Sequence, residues 1–408
     1  KESIIVQMYL FAASGELRTL LPVDCLPWAG EVANWLIEAK RQKPELKIIV
    51  ILDSQTIAEA SRTHYRKFPL TRHRLEDAQI IVLNASLART AHARGMIALS
   101  HNKEGSQEME KNRWATLQQR WQTAHNVEDH RKNIVIDSGR AGIVFSHNLI
   151  DQARLWQENT FLLRNGPARH LYSIALGSLE DALALPLAFT QEERATLSFF
   201  RPMKEPEESQ DGTEVLDGGP AIHSAILAEL ESARSGEIRV ASAYFSDLTT
   251  LERLIDVGSR VRVRILIDNC HALSLPRLLH FILRNTVNLA CVHRCRSAPR
   301  VELRVFPSRH LEMMHLKAIA LSAKPCLIAG QANFTPNSFS GAWLETNVLV
   351  RNPFVVRQFE RHFEEIWNMS VPVRCYKDMG MAEFFKHRTH AFVFLILIRV
   401  ADWLGFRY

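Results

Sequence analysis

The sequence predicts an α/β chain built from two similar halves, each a mixed, largely parallel sheet flanked by helices. Three observations point there. A strand-like apolar run, Ser3–Phe11, is echoed at Ile238–Ser246. A second run, Lys47–Asp53, ends Val-Ile-Leu-Asp, and its echo, Arg262–Asp268, ends Ile-Leu-Ile-Asp. Helical patterns lie between the members of each pair, at Glu31–Lys40 and Leu248–Asp256. A repeated β–α–β order is the signature of parallel strands joined by a right-handed crossover. A length of 408 residues also exceeds one ordinary core, which favours two halves or two domains.

The first half is expected over residues 1–202, with a long insertion at about 54–127 that is rich in His, Arg and Gln and carries a helical pattern around Ser106–Thr123. Met203–Pro220 holds six acidic residues, one lysine, two prolines and three glycines, and reads as an acidic surface linker. The second half spans 221–370 and opens with an amphipathic helix, Ala221–Ser235, whose stripe is Ile222, Ile226, Leu227 and Leu230. The first half has no matching helix, so the native architecture is expected to extend ahead of Lys1. Residues 371–408 form an amphipathic, apolar tail.

Composition narrows the function classes. A hydrophobic share of 47% with 23% charge belongs to a folded globular protein and excludes a disordered or fibrous one. The net charge of +6 suits an anionic partner: phospholipid headgroups, nucleic acid or phosphorylated metabolites. Six scattered cysteines imply no disulfide framework and lean towards a reducing compartment. Cys291, His293 and Cys295 lack a second ligand pair at a recognised spacing, so no metal site is assigned. No signal peptide is visible, and no apolar run of about 18 residues is present to cross a membrane; the longest candidate is Ala391–Ile398.

Each half carries one compact polar motif at the same relative place. His130-Arg-Lys132-Asn-Ile-Val-Ile-Asp137 fits His-x-Lys-x4-Asp in full and is followed by Ser146, His147, Asn148 and Glu158. The second half has His315-Leu-Lys317, then Gln331, Asn333, Glu345 and Asn347. The spacing from His130 to Asn148 is 18 positions, as is that from His315 to Asn333. A lone His-x-Lys is an ordinary surface-strand pattern; two copies with equal internal spacing inside repeated β–α–β units are not. Two imidazoles suit phosphodiester chemistry because a pKa near neutrality lets one act as nucleophile and the other as acid, then base.

These residues resemble the phospholipase D superfamily over about Ser3–Asn368. The resemblance implies two halves packed with pseudo-twofold symmetry and a phosphohistidine intermediate. It implies His130 as nucleophile and His315 as general acid, with the reverse order open. Lys132 and Lys317 would neutralise the phosphoryl oxygens, Ser146, Asn148, Gln331 and Asn333 would donate to them, and Glu158 and Glu345 would orient an imidazole. Two lysines then take the place of a metal, and no cofactor is expected. Asp137 is expected as structural support; its counterpart is Ser322, so the second motif departs from the pattern. Asp53 and Asp268 line the site or cap the following helix and stay outside the catalytic set, and His147 is a loop spacer.

The stretch Val127-Glu-Asp-His130-Arg-Lys132 is similar to that of bacterial cardiolipin synthases and related phosphatidyltransferases. It implies a phospholipid substrate and a peripheral membrane association, on the cytoplasmic face. The tail fits this view, since Phe384, Phe385, Phe392, Phe394 and Trp403 mix with Lys386, Arg388, Arg399 and Arg407 as in an interfacial helix, although core packing or a dimer contact explains the same pattern. Arg294, Arg296, Arg300, Arg304 and Arg309 would feed a headgroup or a nucleic-acid backbone into the site, or simply form a solvated edge. Few aromatics interleave them, which disfavours a nuclease of the same superfamily. A scaffold that has lost catalysis is the third alternative, kept open by Ser322 and Gln331.

Overall fold

The computed structural model describes residues 2–9, 11–12, 28–52, 69–84, 128–150, 156–183, 190–201, 212–269, 288–298, 300–308, 312–375 and 381. Most of the expected insertion, its helix at Ser106–Thr123, and nearly all of the C-terminal tail lie outside these residues.

Two sheets carry the fold. The first contains β1 (Ser3–Met8), β2 (Lys47–Leu52), β3 (Ile81–Asn84), β4 (Lys132–Ile136), β5 (Ala141–Phe145) and β6 (Thr160–Arg164), in the spatial order β6-β5-β4-β1-β2-β3. The second contains β7 (Thr213–Asp217), β8 (Glu237–Ser242), β9 (Arg262–Asp268), β10 (Val301–Phe306), β11 (Lys317–Leu321), β12 (Cys326–Gly330), β13 (Thr346–Val350) and β14 (Val371–Pro372). Its order is β7-β13-β12-β11-β8-β9-β10-β14. Removing the edge strands β7 and β14 leaves the order of the first sheet, so the repeat read from sequence is a repeat of topology.

The helices are α1 (Trp28–Gln42), α2 (Pro69–Asp77), α3 (Asn165–Leu183), α4 (Gln191–Leu197), α5 (Gly219–Ser232), α6 (Leu248–Val257), α7 (Leu289–Arg296), α8 (Pro336–Phe339) and α9 (Pro353–Met369). Helices α1 and α6 are the crossovers between the parallel pairs β1/β2 and β8/β9. Helix α6 starts where the Asp247 carboxylate accepts the Thr250 amide at 2.8 Å, an N-cap that satisfies one orphan donor.

Only the β–α–β part of each half is parallel. Strands β4, β5 and β6 run antiparallel, as do β11, β12 and β13. The sheets are mixed, as expected, with the parallel pairs confined to the β–α–β strands; short turns join β4 to β5 and β11 to β12, whereas a parallel return needs a long crossover. The β4–β5 turn shows this: Asp137, Ser138 and Gly139 all take left-handed φ values of 50°, 51° and 87°. A side chain at Gly139 would also come within 2.8 Å of the Arg169 backbone on α3.

The acidic linker is shorter than expected. Thr213–Asp217 is not linker but the edge strand β7, antiparallel to β13, and α5 begins at Gly219. Val215 faces the central core and Leu216 packs on the outer cluster of the second half, but a high acidic content conceals the strand. Gly218 and Gly219 permit the turn into α5: Gly218 has φ 85°, and a Cβ on Gly219 would sit 1.8 Å from the Ser338 carbonyl.

The central core lies between the sheets. Ile5, Val135 and Val144 of the first sheet pack in one cluster with Leu171, Tyr172 and Leu179 of α3, Ala318, Ala320, Leu327 and Val348 of the second sheet, and Phe363 and Trp367 of α9. Fully burying one large aliphatic or aromatic side chain contributes about 1.5–3 kcal/mol, so this shared cluster binds the two halves into one unit. Separate clusters line the outer faces, Val6, Val50 and Leu36 on one side and Ile226, Leu254 and Ile319 on the other.

Candidate active site

The site forms where the two halves exchange short extended segments. Glu128–Asp129, just before His130, pairs in parallel with Trp343–Leu344, just before Glu345. The mirror arrangement pairs Trp156–Gln157, just before Glu158, with Met313–Met314, just before His315. Each bridge crosses the interface, so each histidine meets the carboxylate of the opposite half. His130 Nδ1 lies 2.9 Å from Glu345 Oε1, and His315 Nδ1 contacts Glu158 Oε1. A carboxylate on Nδ1 fixes the tautomer and reserves Nε2 for chemistry; Nε2 of His315 lies 2.8 Å from Lys317 Nζ.

The lysines come up one position inside the sheets, at the first residues of β4 and β11. Both are almost fully buried. Lys132 Nζ donates to the His130 carbonyl at 2.5 Å, while Lys317 Nζ donates to the His315 carbonyl at 2.8 Å and to the Ser146 carbonyl at 3.2 Å. Such burial disfavours charge. It lowers the Lys132 ammonium to about 7, aided by Lys317 and opposed by Glu345, and lowers Lys317 to about 8 against the pull of Glu158 and Glu345. His130 is held well below its ordinary value by burial first, then by Lys132, Lys317 and His315. Glu158 is shifted upwards by burial, the nearby lysine notwithstanding. The free site therefore has a neutral His130, and two amines ready to become fully charged when an anion enters.

The other predicted residues divide. Asn148 and Asn333 occupy equivalent loops, and among the described residues the side-chain oxygen of each is buried without a hydrogen-bond partner. Rotating either amide would present a donor instead, which suits a phosphoryl oxygen. Ser146 is fully engaged: its hydroxyl contacts Glu158 and the Asn159 carbonyl and accepts the Asn159 amide at 2.7 Å. Gln331 corrects the expectation that it replaces a phosphate-binding serine. Its amide nitrogen donates to the Lys132 carbonyl at 3.0 Å and to Asn133 at 2.8 Å, and its oxygen accepts the Thr346 amide at 2.9 Å. It ties the halves together beneath the site and has no donor left for a substrate.

Asp137 stands at the far end of β4, roughly 17 Å from Lys132 at about 3.3 Å per residue. It accepts the Glu2 amide at 2.5 Å and the Ser3 amide at 3.3 Å. Burial pushes its pKa up, but the two amides and the nearby positive charges together outweigh that and the net shift is downwards. Ser322 repeats the contact, accepting the Glu237 amide at 2.8 Å, while its own amide bonds the Glu237 carbonyl just as Asp137 bonds Ser3. The change from Asp to Ser thus leaves a local strand contact in place and does not reach the histidines.

Three rings near the site escaped sequence reasoning. Trp343 stacks on His130 with centroids 5.1 Å apart, Tyr9 lies 4.2 Å from the same ring, and Trp156 flanks His315 at 4.8 Å. The repeated Trp-x-Glu, Trp156 to Glu158 and Trp343 to Glu345, was the available signal. Asp268 accepts the Met314 amide at 2.8 Å and the Ser308 hydroxyl, holding the peptide that leads into His315.

The arginine run is not a funnel. Arg294 pairs with Glu252 on the surface, Arg300 caps the Ser259 carbonyl, and Arg304 bonds the Trp367 carbonyl while lying 4.9 Å over the Trp367 ring. The run is spread over α7, the turn after it and β10, so its arginines meet different neighbours; Arg309 lies outside the described residues. Cys291 and Cys295 face the core of the second half with sulfurs 4.0 Å apart. Among the described residues no group of three or more His, Cys, Asp or Glu is placed to hold a metal ion.

Comparison with known proteins bears on the fold. Residues 226–367 match the family model described as "Cardiolipin synthase, PLD-like domain". The fold is similar to that of phosphatidylserine synthase from Haemophilus influenzae Rd KW20, at 11% identity and a TM-score of 0.64, covering 100% of this chain and 90% of that one. A phospholipase D family member, Nuc from Salmonella typhimurium, matches at 22% identity and a TM-score of 0.32 over 40% of this chain and 99% of its own. No curated protein matches by sequence. Residues 226–367 thus carry the sequence pattern of a PLD-like domain, and the whole chain has the two-halved α/β fold of that phosphatidylserine synthase.

Proposed function

We propose that the protein transfers or hydrolyses the phosphatidyl group of a phospholipid through a phosphohistidine on His130. The observation that carries this is the crossed pairing of His130 with Glu345 and His315 with Glu158 over two buried lysines. The lipid preference is supported by the match of residues 226–367 to a cardiolipin synthase-type model and by the likeness of the whole fold to a phosphatidylserine synthase.

In the first step Nε2 of neutral His130 attacks phosphorus, and the bond from phosphorus to the leaving alkoxide breaks. That oxygen takes a proton from Nε2 of His315, whose charged form Glu158 stabilises. In the second step His315 accepts the proton of water or of an acceptor alcohol, whose oxygen displaces His130 from phosphorus. Lys132 and Lys317 hold the non-bridging oxygens throughout, with Asn148 and Asn333 adding neutral donors. Entry of the phosphate restores the full charge of both amines, so binding takes up protons near neutrality. His130 suits the nucleophile's role because burial lowers its pKa and favours the unprotonated ring.

Peripheral attachment to a membrane surface follows from a lipid substrate; no helix among the described residues is long and apolar enough to cross a membrane. The test is to incubate the protein with phosphatidylglycerol vesicles, without added metal, and resolve the lipids. We expect phosphatidic acid or a new phosphatidyl ester, lost in His130→Ala. Intact lipid alongside nicked plasmid DNA would replace this proposal with the nuclease alternative.

A further inference from the structure

The catalytic histidines are held in place by unlike means, and the difference turns on Arg131. This side chain lies between His130 and Lys132 in sequence but points away from the site into the interface, where it is almost fully buried. Its guanidinium grips Asp217 in a fork, with Nε at 3.0 Å and Nη2 at 2.8 and 2.9 Å from the two oxygens. It also donates to the Ser178 hydroxyl of α3 at 2.8 Å, and that hydroxyl donates to Asp129 at 3.0 Å. Asp217 is the last residue of β7, and the next amide, Gly218, donates to the carbonyl of Glu345 at 2.9 Å.

One short segment, Asp217-Gly218, therefore holds both members of the His130–Glu345 pair. It reaches the histidine's neighbour through an ion pair and the glutamate's own peptide through a backbone hydrogen bond. Among the described residues nothing equivalent stands at the other histidine. The position matching Arg131 is Leu316, a fully buried core residue. There the approach to His315 is fixed by Asp268 on the Met314 amide and by the Gln157 carbonyl, which accepts the His315 amide at 2.9 Å.

We infer that Arg131 and Asp217 are a positioning pair that aligns the His130 imidazole on Glu345, coupling the edge strand β7 to the first-half side of the site. This rests on the phosphohistidine proposal for its catalytic consequence but not for its geometry. Burying an ion pair is a weak source of stability, since apolar residues of similar volume often serve as well. The second half does use leucine here. A bidentate fork gives direction instead, and a histidine that must meet phosphorus in line needs direction.

The test separates stability from alignment. Arg131→Leu alone strands Asp217 and is expected to destabilise the fold. The double variant Arg131→Leu/Asp217→Asn removes both charges of the fork, leaves Asp129 with the Ser178 hydroxyl, and is expected to fold with a thermal midpoint above that of Arg131→Leu. We expect its kcat on phosphatidylglycerol vesicles to fall at least tenfold with little change in KM, and the His130 Nδ1 proton signal in NMR to shift or broaden while that of His315 stays. Arg131→Lys keeps the charge without the fork and should show the same NMR change in smaller degree; it decides the matter if the double variant fails to fold. Unchanged His130 signals in these folded variants overturn the inference. If the parent turns over no lipid, the functional proposal fails, and the NMR comparison still decides the positioning role.

Discussion

The two halves share a topology but not a chemistry of support. On one side His130 sits against Glu345, under Trp343, tied to β7 by the Arg131–Asp217 fork. On the other, His315 meets a Glu158 that also holds the Ser146 hydroxyl, with an apolar Leu316 behind it. A duplicated motif thus gives two imidazoles with unlike neighbours behind them. The lesson is that a symmetric fold can make an asymmetric site by changing what stands one layer behind the reacting groups.

The largest effect should come from the histidines themselves. His130→Ala is expected to lower phosphodiester turnover by about 10³-fold or more for any leaving group, because the covalent step is lost. His315→Ala should do comparable damage with a natural alkoxide but far less with an aryl phosphodiester, whose phenolate leaves without a proton. Equal losses on both substrates would remove the division of labour proposed here.

Next come the carboxylates. Glu345→Gln should cost about 10²-fold on both kinds of substrate, since it acts through the nucleophile. Glu158→Gln should cost as much on the natural substrate and little on the activated one. The crossed pairing is what links each mutation to the histidine of the opposite half, and a pattern following each half's own histidine would break it.

The lysines couple activity to stability in opposite senses. Lys132 has a folded-state pKa lowered to about 7 from 10.5, so in the free protein the unfolded chain binds more protons between those values. Its cost to stability is full below about pH 7 and is relieved as pH rises towards 10.5; Lys317 follows from about 8. Chemical denaturation of the free protein across this range should show stability contributed by these groups rising with pH. Lys132→Met should abolish turnover yet stabilise the fold at neutral pH by about 1 kcal/mol. A clear loss of stability in that variant would show that the amine is not a buried strain.

The smallest effect is expected at Ser322. Ser322→Asp restores the full motif but should alter turnover by less than about twofold, because the position serves the Glu237 amide far from the histidines. Ser322→Ala should cost about 1 kcal/mol, the worth of one hydrogen bond. A large gain in activity from Ser322→Asp would reinstate the view that the second motif is catalytically weakened.

Much of this was legible in the sequence, for particular reasons. The paired runs at Ser3 and Ile238 were readable because sheet strands buried on both faces are nearly continuous in Val, Ile and Leu. The His-x-Lys pairs were readable because a repeat with constant spacing stands out against local pattern. Strand β7 was not, since its acidic residues mimic a linker until β13 supplies the pairing. The crossing of Glu158 and Glu345 between halves was invisible because it depends on two-residue bridges set by tertiary contact. Gln331 misled for a related reason: a polar residue in a motif position looked like a ligand-binding group, but its burial under Lys132 spends every donor on the interface.

The most direct test of the central claim is to trap and map the covalent intermediate. A radiolabelled phosphodiester is mixed with His315→Ala protein, quenched in alkali where phosphohistidine survives, and the labelled peptide is sequenced. The account predicts label on His130. Label on another residue, or multiple turnovers by that variant on an activated substrate with no phosphoenzyme at any time, would contradict it.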